Sequence, residues 1–144
     1  MKKLFVGVLC VALSLSVQGK EVNMTSPDGK YQFTLSDSGG QLHYSLTWNG
    51  KQTVKPSLLG INANVEWRDG VEIGTVDSSR KDTIWHPVYG ERSEIKDCYH
   101  AWKIVVNRQN GRDKLILDVR AYDEGIAFRY HFPGGQYLKI TDEY

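Results

Sequence analysis

The 144-residue chain carries 18 Lys and Arg residues against 17 Asp and Glu residues, which gives a formal net charge of +1. A balance so close to neutral indicates neither a nucleic acid nor an anionic membrane as a partner. The length suffices for one domain with its own hydrophobic core, and it equally suits a portion of a larger domain.

The first 19 residues have the pattern of a bacterial secretory signal. Lys2 and Lys3 precede an apolar run over residues 4–17, and Gly19 provides a small residue at a cleavage point. The run is shorter than the roughly 20 residues that a permanent membrane span needs. We therefore predict cleavage after Gly19, a mature chain of residues 20–144, and a periplasmic or secreted location without membrane attachment.

The mature chain is expected to fold as an antiparallel β protein. Cleavage would remove Cys10 and leave Cys98 without a disulfide partner, so the fold must depend on its hydrophobic core. Short runs rich in Val, Ile, Tyr, Phe and Trp are separated by Gly and Pro, which is typical of antiparallel sheets. Asn49 and Gly50 are the signal of a two-residue hairpin. In chain order, strands are predicted at residues 31–35, 42–48, 51–54, 57–62, 71–76 and 102–107.

The clearest hairpin of the sequence lies near its carboxyl end. Two strand-like runs over residues 114–122 and 126–132 are joined by Asp123, Glu124 and Gly125. The second run alternates between polar or small and apolar residues, and its apolar face consists of Ile126, Phe128, Tyr130 and Phe132. Such a face must pack on another sheet, and a β-sandwich is the architecture that buries many one-sided strands.

The end of the chain also bears on the fold. Residues 137–140 predict one more strand shortly before the last residue, Tyr144. A sandwich ending there would leave a strand edge unpaired. We therefore expect residues 20–144 to be an incomplete portion of a larger antiparallel β-sandwich.

No catalytic residue and no metal ligand is predicted. Asp123 and Glu124 are adjacent in a turn, where their side chains diverge and cannot flank one substrate bond. No Gly-x-Ser-x-Gly segment that would position a nucleophilic serine is present. The histidines show no metal-binding spacing, and surface or hydrogen-bonded roles are expected for His43, His86, His100 and His131.

Aromatic and charged residues are most concentrated between positions 85 and 95. Sugar rings stack on aromatic side chains while charged groups bind their hydroxyls, so the candidate substrate-binding residues are Trp85, Tyr89, Glu91 and Arg92. The alternative is a strand, a turn and a second strand with core aromatic rings and a surface ion pair. Because Pro87 and Gly90 fit a loop better than a strand interior, we expect a loop at the sandwich edge.

The same segment resembles a block of glycoside hydrolase family 97. Residues 85–100 read W-H-P-V-Y-G-E-R-S-E-I-K-D-C-Y-H, which is similar to the family's pattern W-x-P-V-W/Y-G-E…I…Y. Three further segments agree in order and spacing: S-P-D-G-K at residues 26–30, K-P-S-x-L-G at residues 55–60, and Y-D-E-G-I-A-F-R-Y-H-F-P at residues 122–133. The resemblance covers essentially the whole mature chain.

The resemblance implies a portion of a bacterial periplasmic α-glucosidase or α-galactosidase. Family members combine an amino-terminal β super-sandwich, a catalytic (β/α)8 barrel and a small carboxyl-terminal β domain. This chain matches only the first part of the super-sandwich. The family's catalytic carboxylates lie in the barrel, and its calcium-binding glutamates lie there or in later parts of the sandwich, so none is carried over. Calcium is thus implied for the full-length enzyme, and no cofactor for this portion.

Three functions remain open at this point. The resemblance implies a non-catalytic portion that packs beside the barrel and contributes to carbohydrate binding, with the loop residues directed towards the barrel. A free-standing carbohydrate-binding β-sandwich is the first alternative. A purely structural portion is the second, and it predicts that Trp85 and Tyr89 are buried in the core.

Overall fold

The computed structural model describes residues 19–109, 111–134 and 137–144. Apart from Gly19, the predicted secretory signal lies outside these residues. The described residues form ten strands, which are β1 (Glu21–Thr25), β2 (Tyr31–Ser38), β3 (Gln41–Trp48), β4 (Lys51–Leu59), β5 (Ile61–Asn62), β6 (Val71–Trp85), β7 (Ile95–Arg108), β8 (Lys114–Tyr122), β9 (Gly125–His131) and β10 (Asp142–Glu143). No helix in the described ranges has the length and apolar character to span a membrane.

The predicted antiparallel β-sandwich is confirmed. One sheet has the order β1-β2-β3-β4, the second has the order β6-β7-β8-β9, and the short strands β5 and β10 pair with each other. The sheets enclose one hydrophobic core, and burial of each large apolar side chain contributes about 1.5–3 kcal/mol. The most deeply buried apolar side chains are Met24, Leu35, Leu42, Leu59, Val71, Ile104, Val106, Leu115, Leu117 and Val119.

The apolar face predicted for β9 lines the space between the sheets. Ile126, Tyr130 and Phe132 pack against the core. Phe128 is more exposed, yet its ring centroid lies 6.3 Å from that of Phe33 in the opposite sheet. The period-two pattern therefore identified the inward side of this strand correctly.

The two-residue hairpin between β3 and β4 also has the expected form. Asn49 has a φ of 48° and Gly50 a φ of 73°, as a type I′ turn requires. Trp48 and Lys51 face each other at the base of the turn. The Asn-Gly signal therefore identified the turn and the first two residue pairs beside it, whereas the register of β3 and β4 shifts further along, at Leu46.

Two strands extend well beyond their predicted bounds. The runs predicted at residues 71–76 and 102–107 are parts of β6 and β7, which continue to Trp85 and begin at Ile95. The outer half of β6 is exposed on both faces. No apolar alternation could mark that half in the sequence, because neither of its faces is buried.

The strand predicted at residues 137–140 is wrong. The backbone there is bound by one side chain instead of a neighbouring strand. Asn64 donates from Nδ2 to the carbonyl oxygen of Tyr137 at 2.7 Å, and its Oδ1 accepts the Lys139 N–H at 3.0 Å. Strand geometry returns only at β10, which pairs with β5.

Candidate functional site

The segment with the candidate sugar-binding residues projects beyond the sandwich. Strand β7 pairs with β8 only as far as Tyr99, which lies opposite Tyr122. Strands β6 and β7 stay paired out to Trp85 and Ile95. Residues 82–98 therefore form a two-stranded extension, which we call the hairpin arm, and no third described strand pairs with it.

The tip of the hairpin arm is a loop over residues 86–94. His86 Nδ1 lies 3.0 Å from the carbonyl oxygen of Ser93, and because a carbonyl only accepts, this nitrogen carries the proton. The bond joins the two ends of the loop. Gly90 has a φ of 139°, a conformation that glycine adopts at little cost. The predicted loop position of Tyr89, Glu91 and Arg92 is confirmed.

The aromatic side chains of the arm are exposed. Tyr89 is 91% exposed and Trp85 is 50% exposed, so the alternative in which they are buried core residues is contradicted. Ile84 and Val88 are exposed as well. A cluster of large apolar side chains in water is typical of a binding surface.

The two candidate charged residues lie beside these rings. Glu91 and Arg92 are both exposed. Neither forms an ion pair with the described residues, so the surface ion pair of the alternative interpretation does not form. Their hydrogen-bonding groups thus remain available to a ligand.

The base of the arm belongs to the second sheet, and side-chain contacts hold it in place there. Lys81 Nζ donates a hydrogen bond to Asp97 Oδ2 at 2.6 Å. This hydrogen bond raises the pKa of Lys81. The guanidinium of Arg120 lies 4.6 Å from the centroid of the Tyr99 ring. That ring lies 5.0 Å from the ring of Tyr122. The exposed tip is thus carried by an ordered set of contacts at its origin.

Asp123 and Glu124 occupy the turn between β8 and β9, as predicted. Asp123 Oδ1 accepts the backbone N–H of Asp28 at 2.9 Å. The Asp28 carboxylate accepts hydrogen bonds from the side chains of Lys30 and Ser26. These bonds, of which the one from Lys30 has the larger effect, hold the pKa of Asp28 well below its usual range. Asp123 therefore joins a turn of one sheet to a turn of the other, which is a structural role.

No metal site is found in the part of the chain that the structure describes. No group of three or more His, Cys, Asp and Glu residues there could hold an ion. His100 Nδ1 instead lies 2.9 Å from the carbonyl oxygen of Thr25. Calcium takes six to eight oxygen ligands. The described acidic residues are not grouped in that way, so they do not fit the ion that the resemblance implies for the longer enzyme.

The chain matches a model of a known protein family over most of its length. The family model described as Glycosyl-hydrolase 97 N-terminal matches residues 24–144. The chain belongs to this family. The resemblance carried by the four sequence blocks is therefore confirmed.

A curated relative of this chain is a much longer protein. A retaining alpha-galactosidase from Bacteroides thetaiotaomicron is 30% identical over 147 residues, which cover 99% of this chain and 21% of the relative. The chain therefore spans about a fifth of the length of this relative.

Solved structures share the fold. A glycoside hydrolase family 97 enzyme from Pseudoalteromonas sp. strain K8, in complex with acarbose, superposes with a TM-score of 0.78 at 24% identity, covering 85% of this chain and 19% of that one. A crystal structure of a beta-arabinopyranosidase gives 0.77 at 24% identity, covering 85% and 20%. The fold of this chain thus matches about a fifth of each of these longer chains.

Sequence reasoning missed part of the arm. Ile84 and Val88 were not singled out, although Ile84 directly precedes Trp85 and Val88 directly precedes Tyr89 in the sequence. The signal that could have found them was the pairing of each with the aromatic residue that follows it. Lys81 and Arg120 were missed because their proximity depends on the pairing of β7 with its two neighbours.

Proposed function

We propose that this chain is the amino-terminal sandwich portion of an exported, calcium-dependent glycosidase that acts on α-glucosides or α-galactosides. In this proposal the portion is non-catalytic by itself and packs beside a barrel that holds the catalytic carboxylates. Family membership over residues 24–144 supports it. The similarity to a retaining alpha-galactosidase about five times as long supports it as well.

The observation that carries the proposed role in carbohydrate binding is the exposed aromatic pair of the hairpin arm. Trp85 and Tyr89 offer apolar rings to solvent, and Glu91 and Arg92 offer unpaired polar groups within the same loop region. Ring stacking combined with charged hydrogen bonds is the chemistry that recognises a saccharide. We infer that the arm contacts sugar at the edge of a pocket shared with the barrel.

The test is a titration of the chain with panose, an α-glucoside, and melibiose, an α-galactoside. Tryptophan fluorescence and NMR amide shifts over residues 85–92 report binding. A saturable change at the arm is expected with at least one sugar. Trp85→Ala and Tyr89→Ala should each abolish it, because each removes a stacking surface.

The chain offers matched control residues outside the arm. Trp48 is 44% exposed and Tyr137 is 85% exposed, so they resemble Trp85 and Tyr89 in accessibility. Trp48→Ala and Tyr137→Ala should leave the titration unchanged. Absence of arm shifts with both sugars, or equal loss in the control variants, would contradict the carbohydrate contact and favour a purely protein-packing role for the apolar tip.

A further inference from the structure

Strand β5 follows the edge strand β4 after a single residue, Gly60, and it has a bonded segment on each side. On one side, the Ile61 carbonyl oxygen accepts the Trp67 N–H at 3.0 Å. On the other side, the Gly60 carbonyl oxygen accepts the Tyr144 N–H at 2.9 Å. Successive backbone groups of a strand point to opposite edges, so every second residue before Gly60 directs its backbone groups to the side on which Tyr144 lies.

Strand β3 lies on the same side as Trp67. The pairing of β3 with β4 reaches Leu42, which lies opposite Leu59. Gln41, at the start of β3, donates from Nε2 to the carboxylate of Asp69, so the segment that contains Trp67 follows directly on β3. Strand β4 is the last strand of its sheet, and no described strand pairs with its other edge. Strand β10 therefore lies in line with this free edge.

The register of β10 leads onto the free edge of β4. Glu143 pairs with Ile61, and Tyr144 is bonded to Gly60. A chain that continued in this register would place the second residue after Tyr144 opposite Leu58. Because Leu58 lies two residues before Gly60, its N–H and carbonyl groups point to the same edge.

The side chain of Tyr144 holds the chain in this direction. Asn62 Nδ2 donates to the Tyr144 hydroxyl at 3.1 Å, and the guanidinium of Arg68 lies 4.8 Å from the centroid of the Tyr144 ring. These contacts fix the residue from which a further strand would start.

The rest of the β4 edge carries the residues that protect exposed edges. Lys51, Lys55 and Pro56 are all exposed, and lysine and proline are the residues that natural sheets place at free edges. Pro56 also has no N–H to donate. The stretch from Ser57 to Gly60 has neither residue type, so the part of the edge that can accept a strand is short and ends at Pro56.

We propose that the edge from Ser57 to Gly60 binds an extended antiparallel segment, which adds a fifth strand to the first sheet. The occupant is the segment that directly follows Tyr144 in a longer protein, and the inference rests on the proposed function, in which this chain is a portion of such a protein. Main-chain hydrogen bonds would hold the segment, as in β-strand addition. Residues directly opposite each other share a face. Because Leu59 is buried and Leu58 is half-buried, the segment should begin with an apolar residue and then alternate.

The test compares the chain with two variants that are extended beyond Tyr144. One carries Val-Thr-Val-Thr, whose first residue would face Leu59. The matched control carries Val-Pro-Val-Thr, which lacks the N–H opposite Leu58. Amide hydrogen exchange, measured by NMR, should be fast at Leu58 in the unaltered chain. The first extension should slow it at least roughly tenfold, because a backbone hydrogen bond is gained, and the second should slow it much less. The Leu59 amide, which points to β3, should exchange equally in all three.

Three outcomes would overturn the proposal. Leu58 could exchange as fast with Val-Thr-Val-Thr as in the unaltered chain, or equally slowly in both extended variants. Slow exchange at Leu58 in the unaltered chain that depends on protein concentration would show that a second copy occupies the edge. The saccharide titration reports on residues 85–92 instead, so its failure and the failure of this proposal are distinguishable.

Discussion

At the scale of single residues, one aspartate joins the two sheets of the sandwich. Asp28 accepts hydrogen bonds from Ser26 Oγ at 2.6 Å and from the Lys30 N–H at 3.0 Å. Its own N–H donates to Asp123, which belongs to a turn of the other sheet. The ionised carboxylate is thus part of a polar connection on which the relative position of two turns depends.

We expect Asp28→Asn to lower the free energy of unfolding at neutral pH and to reduce its dependence on pH. The hydrogen bond from Lys30 lowers the pKa of Asp28 in the folded chain from the usual 3.8. A lowered folded pKa stabilises the fold fully above the unfolded pKa, and this contribution is lost as pH falls below about 4. Urea unfolding at pH 7 and pH 3 measures the change, which should be smaller in the variant.

Glu124→Gln is the control for this prediction. Glu124 is exposed and forms no ion pair with the described residues. The variant should keep the pH dependence of the unaltered chain. If Asp28→Asn loses as much stability between pH 7 and pH 3 as the unaltered chain does, the carboxylate does not have the role assigned to it.

At the scale of elements, the β3–β4 hairpin depends on backbone conformation. Gly50 has a φ of 73°, and a Cβ added there would meet nothing within 4 Å. We expect Gly50→Val to lower the free energy of unfolding by about 1–2 kcal/mol, since L-residues with a Cβ disfavour this region. Gly50→Asn should cost less, because asparagine tolerates positive φ. Urea unfolding measures both, and equal losses would contradict a conformational origin.

The strands that sequence reasoning found are those with one buried face. In β8 the buried residues Leu115, Leu117 and Val119 alternate with less buried ones, so the pattern was visible. Strand β1 was missed because Met24 is its one fully buried residue. The arm loop was predicted because Pro87 and Gly90 fit a loop better than a strand interior. The contact of Arg120 with Tyr99 was not predicted, because it depends on the register of β7 and β8.

The hairpin arm should be separable from the stability of the fold. Residues 86–94 contribute none of the buried core residues, and Trp85 faces Ile95 directly across the hairpin. A replacement of residues 86–94 by Asn-Gly therefore supplies a two-residue loop of suitable geometry. We expect the melting temperature to change little while the proposed saccharide response disappears. A large loss of stability would show that the loop packs on the sandwich.

At the scale of the whole molecule, the distribution of carboxylates argues against activity. Cleavage of a glycosidic bond needs an acid and a second carboxylate roughly 5–9.5 Å apart on either side of it. Asp28 and Asp123 join turns, whereas Asp97 and Asp118 are held in ion pairs with Lys81 and Arg129. The lowered pKa of Asp28 is the opposite of what a general acid requires.

We therefore predict that the purified chain does not hydrolyse α-glucosides or α-galactosides, with or without calcium. Asp28 and Asp123 serve turns, Asp97 and Asp118 serve ion pairs, and no described cluster of three or more His, Cys, Asp and Glu residues could hold the ion. Release of p-nitrophenol from the two p-nitrophenyl glycosides, measured at several pH values, tests this, with a full-length family 97 enzyme as the positive control. Calcium-dependent turnover well above a buffer blank, abolished by substitution of one carboxylate, would show that this chain holds a complete catalytic site.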